Sequence, residues 1–310
     1  MKLKIFTYIG ILLLISSFKL SAQQIGNHRN YVFNIANQNP AAIAMKEIPE
    51  ILLNSRIQWT GFSGAPRINS IYGKYLFRSD MGASAALVHD RIGISQRLAF
   101  NLGYSYIIRT KNFNISFGLD MNFSQLKLLS SQIKVYETND QILNFETDEK
   151  IWKPDANAGI LLNANNYFVG FSILQLFKSN YFFSGSNADI SGLIKNARHF
   201  FITGAYNFKL EDSKHSFTPI LNMYFAKSSP FKFDLIANYN YSNTFSTSLS
   251  LSRADAIVFS LGYKYDRFTI NYAFDFVISR IKNVSSGAHE ITLGVFLFSK
   301  KSSDISSPMF

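Results

Sequence analysis

The chain has 310 residues, enough for one large domain, with 47% hydrophobic and only 16% charged residues and a net charge of +11. Cysteine is absent, which excludes a disulfide framework, thiol chemistry and thiolate metal sites. The Lys and Arg residues are scattered, many at turns, and form no basic stripe, so nucleic acid is not an expected partner.

In chain order, residues 1–22 read as a secretory signal: Lys2 and Lys4 are followed by an apolar run over 5–15 and by Leu20-Ser21-Ala22 before Gln23. The run is too short to span a bilayer, so cleavage is expected rather than anchoring. Residues 23–49 are expected to form an N-terminal segment, periplasmic or lodged as a plug. From there to residue 298 no helical period persists, but period-2 alternation returns repeatedly. In 112–124, Phe113, Ile115, Phe117, Leu119, Met121 and Phe123 share one face, and Asn114, Ser116, Gly118, Asp120, Asn122 and Ser124 share the other. The same pattern predicts strands over 51–59, 69–77, 81–90, 96–108, 112–124, 156–164, 167–175, 201–208, 217–225, 231–241, 245–251, 257–265, 268–276 and 289–297. Residues 299–310 remain as a tail.

The apolar faces are longer than soluble strands need and suit the roughly 9–11 residues of a membrane strand. The opposite faces are rich in Ser, Asn and Gly, which a lumen tolerates and a sandwich core does not. The connections divide by parity. Those at 78–80, 109–112, 165–166, 209–214, 242–244 and 266–267 are short; the other set holds the long ones, 126–154, 176–197 and 279–288. The expected fold is an all-β, antiparallel transmembrane β-barrel of about fourteen strands, with short periplasmic turns and longer extracellular loops. Tyr104, Tyr106, Tyr239, Tyr241, Tyr263 and Tyr265 suit an interfacial girdle. Such a barrel belongs in an outer membrane, reached through the signal peptide.

The inward face carries Arg56, Lys74, Arg97, Asp120, Lys232, Asp234, Lys264, Asp275 and Glu290. Mixed signs favour internal pairing over a selective ion path, so a largely blocked lumen is expected. The five histidines are dispersed, and no nucleophile elbow, P-loop or dinucleotide fingerprint occurs, so no enzyme, cofactor or metal is expected. Glu137, Asp140, Glu146, Asp148 and Glu149 cluster in one long loop. They lack the EF-hand order and are flanked by Lys134 and Lys150, so they read as a solvated loop rather than a calcium site. Trp59, Tyr136, Phe145, Trp152, Tyr181, Phe182 and Phe183 are the candidate partner anchors, being aromatics in or beside loops.

Four blocks narrow the reading. Asn39-Pro40-Ala41-Ala42 precedes the first strand. Arg56, Gln58, Trp59, Gly61, Gly64 and Pro66 form an R-x-Q-W-x-G-x-x-G-x-P block, in which the glycines fall where the hairpin must turn. Asp90 and Gly93 fall in a D-x-I-G turn, and His289-Glu290-Ile291 lies near the end. Together they resemble the PorP/SprF family of type IX secretion system outer-membrane proteins. The resemblance implies a non-enzymatic barrel that supports secretion or surface attachment of an adhesin-like partner carrying a C-terminal targeting domain, beside other secretion components and in some members for gliding motility. The alternatives are a transporter of small hydrophobic ligands, similar to the fatty-acid channel family, and a passive porin.

Overall fold

The structure, a computed structural model, describes residues 29, 34–45, 48–129, 148–184, 191–210, 214–227 and 229–297. The expected signal peptide and the tail at 299–310 lie outside these residues.

Fourteen antiparallel strands form a closed barrel. They are β1 (Glu50–Ile57), β2 (Arg67–Arg78), β3 (Met81–Ile92), β4 (Ser95–Arg109), β5 (Phe113–Leu128), β6 (Glu149–Ala164), β7 (Tyr167–Leu174), β10 (His199–Tyr206), β12 (His215–Ala226), β13 (Lys232–Tyr241), β14 (Phe245–Ser252), β15 (Ala256–Tyr265), β16 (Phe268–Val277) and β17 (Ala288–Phe296). A two-stranded hairpin, β8 (Asn180–Ser184) with β9 (Ser191–Lys195), interrupts one connection, and the short β11 (Phe208–Lys209) extends another along β12. Neighbours in sequence pair with each other, and β1 pairs with β17 to close the ring, with Arg56 opposite Glu290. Closure pairs the ladder amides that hydrocarbon would otherwise leave unbonded.

Each predicted strand has its counterpart. The differences lie in length and in one loop. β5 and β6 reach Leu128 and Glu149, so the connection expected at 126–154 shrinks to 129–148. Those added residues pair from Gln125↔Trp152 to Leu128↔Glu149. Their outward positions are Gln125 and Lys127, polar where the apolar alternation ends, and that removed the signal by which a strand is read. β1 stops at Ile57 rather than at 59, because Trp59 adopts φ 55° and leaves the ladder. The β8–β9 hairpin was read as loop.

The side chains are arranged inside out. Leu119, Phe123, Leu249, Leu261 and Ile270 are exposed on the outer wall, whereas Asn222, Thr218, Asn238 and Ser105 are buried within. On β5 the outward apolar run from Phe113 to Phe123 covers ten steps of about 3.3 Å. At a tilt near 40° that is about 25 Å, the height of an outer-membrane apolar band. Arg56, Lys74, Asp234, Asp275 and Glu290 are buried inside, with Arg97, Asp120, Lys232 and Lys264 half-buried on the same wall. The turns at 79–80, 110–112, 165–166, 242–244 and 266–267 gather at one rim with the start of β1 and the end of β17: the amide of Phe296 bonds the Arg267 carbonyl, and that of Leu297 bonds Pro49. The longer connections gather at the other, called here the loop rim.

Leu119→Arg puts a charge near mid-depth on the lipid face. It is expected to cost about 2–4 kcal/mol, measured as urea unfolding from liposomes; an unchanged midpoint would contradict this placement of the wall.

Candidate docking rim and filled lumen

Of the N-terminal segment, Arg29 and residues 34–45 lie inside the barrel. Its seat is a row of small residues running in register across five strands: Gly82 (β3), Ser105 (β4), Gly118 (β5), Gly159 (β6) and Ser172 (β7). The missing side chains leave room for backbone. A Cβ on Gly118 would stand 2.2 Å from the Ala41 nitrogen, and one on Gly159 2.0 Å from Asn39 Oδ1. Asn39 opens the short 3-10 turn Pro40–Ala42 by accepting from the Ala41 amide at 3.0 Å, and its Nδ2 donates to the wall carbonyl of Ile160 at 3.1 Å. Ser105 Oγ accepts from the Ala44 amide at 2.9 Å, and Ser172 donates to the Gln38 carbonyl. Ala41 and Ala42 then pack with Leu161, Phe168, Ala205, Ile220 and Ile236 in an apolar cluster on the inner wall. Asn39 and Pro40 are therefore seated inside the barrel against the wall of β5 and β6.

The opposite wall holds the segment by charge. Arg29 Nε donates to Asp275 at 3.0 Å, its Nη1 to Ser252 at 2.7 Å, its Nη2 meets Asp255, and its backbone amide donates to Glu290 at 2.6 Å. Arg56 bridges the same two carboxylates, at 2.8 Å to Asp275 and 3.3 Å to Glu290. Asn54 donates to the other Glu290 oxygen at 2.7 Å. Arg56 and Glu290 are 1% and 0% exposed, so neither charge has water to fall back on. Nearer the turn rim, buried Lys74 and Glu50 pair at 3.4 Å.

At the loop rim the motif glycines do conformational work. Gly61, Gly64, Gly93 and Gly287 all have positive φ. The Gly93 amide bonds the Gly64 carbonyl at 2.9 Å. Thr60 and Gly287, and Ser286 and Thr60, exchange bonds of 2.8 and 2.9 Å. The connections 58–66, 93–94 and 278–287 thus form one bonded collar over β1–β3 and β17. Gln58 closes its own loop by donating its amide to Pro66 at 2.9 Å. Asp90 is buried on the inner wall with Arg97 at 3.9 Å. His289, beside Glu290 in sequence, points outward, bonds the Tyr272 hydroxyl at 2.7 Å and meets the Phe274 ring.

Among the described side chains, the aromatic candidates Trp59, Trp152 and Tyr181 do not come together. Trp59 is half-buried in the collar. Trp152, expected in a loop, lies on β6 with its ring on the outer face, 55% exposed. Tyr181 is 2% exposed: the β8–β9 hairpin brings it over the barrel mouth, where it packs with Leu126 and Ile151 and its hydroxyl meets Ser124. Phe182 and Phe183 occupy the next two positions of β8. Tyr136, Phe145, Glu137, Asp140 and Glu146 lie outside the described residues. Asp148, at the edge of that acidic loop, pairs with Lys127 at 2.8 Å. Among the described residues no three His, Asp or Glu side chains are grouped to hold a metal ion.

Sequence reasoning missed Arg29, Asp255 and the small-residue row. Arg29 stands outside any periodic segment. The row could have been found, since Gly118 and Gly159 are inward positions of strands read correctly, but only pairing register shows that they align.

A profile of the family described as type IX secretion system membrane protein PorP/SprF matches residues 20–295. No curated protein matches the chain. Among solved structures, the chain is similar to the toluene transporter TbuX of Ralstonia pickettii, at 10% identity and TM-score 0.52 over 87% of this chain and 94% of that one. It is similar also to the toluene transporter TodX of P. putida, at 10% identity and TM-score 0.50 over 84% and 93%. At such identity the likeness is one of fold alone.

Two substitutions test the lumen. Gly118→Val is expected to displace the segment from its seat. In this cysteine-free chain an Ala41→Cys reporter should go from protected to maleimide-reactive when Gly118→Val is added; continued protection would contradict the seat. Arg56→Ala leaves buried carboxylates short of a partner and is expected to lower stability by about 3–5 kcal/mol, read from the unfolding midpoint in detergent.

Proposed function

Since the chain belongs to the PorP/SprF family of type IX secretion system membrane proteins, we propose that it supports the secretion or surface attachment of a partner protein that docks at the loop rim. It is an integral outer-membrane barrel, and neither its family nor its fold is that of an enzyme family. The finer reading is that the partner is adhesin-like and carries a C-terminal targeting domain, that other secretion components contribute, and that export uses a cleaved signal over residues 1–22. A role in gliding motility belongs to the same proposal.

One observation supports this reading beyond the family: Arg29 and Asn39–Ala44 occupy part of the lumen beneath a bonded rim. A pore needs a clear lumen, whereas here Asn39–Ala44 lies against one wall and Arg29 is bonded to the other. The bonded collar at 58–66, 93–94 and 278–287 and the hairpin over the mouth instead offer a rigid platform, the form that favours docking because little ordering is lost on contact. Trp59, Phe182 and Phe183 are the proposed contacts among the described residues, with Tyr136 and Phe145 in the loop beyond them. Tyr181 reaches a partner only if the hairpin lifts, and Trp152 only along the outer face. The hydrophobic-ligand reading is weaker, because the lumen lining beside Arg29 is ionic rather than apolar.

The test is purification from native membranes in mild detergent at native expression. A stoichiometric secreted protein with a C-terminal targeting domain is the expected companion, and Trp59→Ala is expected to reduce its retention while the barrel stays folded. A barrel isolated alone overturns the proposal. In planar bilayers only small, irregular conductance is expected; a large steady conductance overturns the filled lumen.

A further inference from the structure

The lumen segment runs the length of the barrel, with its upstream end at the loop rim. Arg29 bonds Ser252, the last residue of β14, and Asp255, in the connection that leaves β14 at that rim. Asp275, a further partner, lies two residues before the end of β16. Ala44 lies towards the other end, where a Cβ on Gly82, the second residue of β3, would stand 3.1 Å from the Ala44 Cβ. Pro49 then leads into β1 at the turn rim, its carbonyl bonded by the Leu297 amide. The segment is thus joined covalently to the wall at the turn rim and held by charge at the loop rim.

The charged end is built to survive the departure of Arg29, because each carboxylate around it has a second cation. Arg56 reaches Asp275 at 2.8 Å and Glu290 at 3.3 Å. Lys232 is attracted by both Asp234 and Asp255 and repelled by Arg29, so it settles more firmly on them once Arg29 is gone. Ser252 also donates to Asp234. A buried anion that loses its only cation keeps its full desolvation penalty; these four carboxylates are spared it. On the opposite wall the Ser105 and Ser172 hydroxyls bond the segment, and both exchange such bonds for water readily. The charged site also has an opening: the Asp255 side chain is 25% exposed where that of Arg29 is 4% exposed, and Asp255 belongs to the loop rim.

Barrels of about eight strands are filled by their own side chains, and barrels of roughly 16–18 strands leave an aqueous channel. With fourteen strands and a wall of glycine, serine and threonine behind the segment, the lumen here stands nearer the second case. We propose that Arg29 and residues 34–45 form a latched strap: when Arg29 leaves its carboxylates, the strap swings out at the turn rim, where it is joined to β1, and opens a passage for water and small ions. Latched, it keeps that passage shut. The strap is a property of the lumen and stands whether or not a partner docks at the loop rim.

The test uses the full-length mature barrel in planar bilayers, with potassium chloride as the probe. Arg29→Gln is expected to raise the conducting fraction about tenfold or more, the factor that a lost charge-assisted hydrogen bond supplies. Its heat-modifiable gel mobility and unfolding midpoint are expected to stay near those of the unsubstituted protein, because Arg56 and Lys232 still hold the carboxylates. Asp255→Asn, in a connection outside the ladder, is expected to act in the same direction and more weakly. Ala44→Cys with Gly82→Cys, added to Arg29→Gln in this cysteine-free chain, places two thiols close to the spacing a disulfide spans. Oxidation is expected to pin the strap and abolish the conductance, and a reductant to restore it. Three results each overturn the inference: Arg29→Gln and Asp255→Asn barrels that fold and stay closed; an Arg29→Gln barrel that fails to fold or loses as much stability as Arg56→Ala; and equal conductance with the disulfide formed and reduced.

Discussion

A backbone amide left without a partner in hydrocarbon costs several kcal/mol, and a chain that crosses the membrane as strands meets that cost at both edges of its sheet. Here the two edges, β1 and β17, are removed by pairing with each other over eight residues. Once the ring is closed, alternation assigns each side chain to lipid or to lumen, and the remaining architecture is a matter of what fills the lumen. Phe, Leu and Ile can then cover the outside at no cost, while Asn, Ser, Thr and charged groups must find partners within.

The two inner walls solve that problem differently. Over β3–β7 a row of glycine and serine crosses the wall, so the contact with Asn39–Ala44 is chiefly one of shape, with side chains absent where the backbone of the segment must pass and Leu161 and Phe168 packing beside it. Over β13–β17 the wall carries Asp234, Ser252, Asp275 and Glu290, and the contact with Arg29 is one of charge. Neither wall would hold a segment alone as firmly. Small residues give room but little attraction, and buried carboxylates without a cation carry an unrelieved desolvation penalty. The segment completes both.

Much of this was legible. The strands were readable because lipid outside and water-like groups inside enforce strict alternation, and short turns such as Asn165-Asn166 and Asp266-Arg267 punctuate it. The inward placement of Arg56, Asp275 and Glu290 followed from parity. What was not legible is what parity does not carry. Alternation gives a residue its face but not its depth relative to a residue thirteen strands later, so the Arg56–Glu290 bridge needed the closing register. Arg29 belongs to no strand and has no periodic neighbours to place it. The β8–β9 hairpin is short and has a polar join, and its Tyr181 reads from sequence like any exposed loop aromatic although it is buried.

The bridge between Arg56 and Glu290 also relates the two ends of the barrel sequence. Arg56 is on the first strand to be synthesised and Glu290 on the last, with Asp275 on the strand before it. A polypeptide that stops short of β17 would still carry the guanidinium on an inward position, but would lack the carboxylate opposite it. Assembly is thereby coupled to completeness. The charge on the first strand is neutralised in full only when the final strand arrives, so a truncated chain is penalised twice, by an unpaired sheet edge and by the loss of one of the two carboxylates on Arg56.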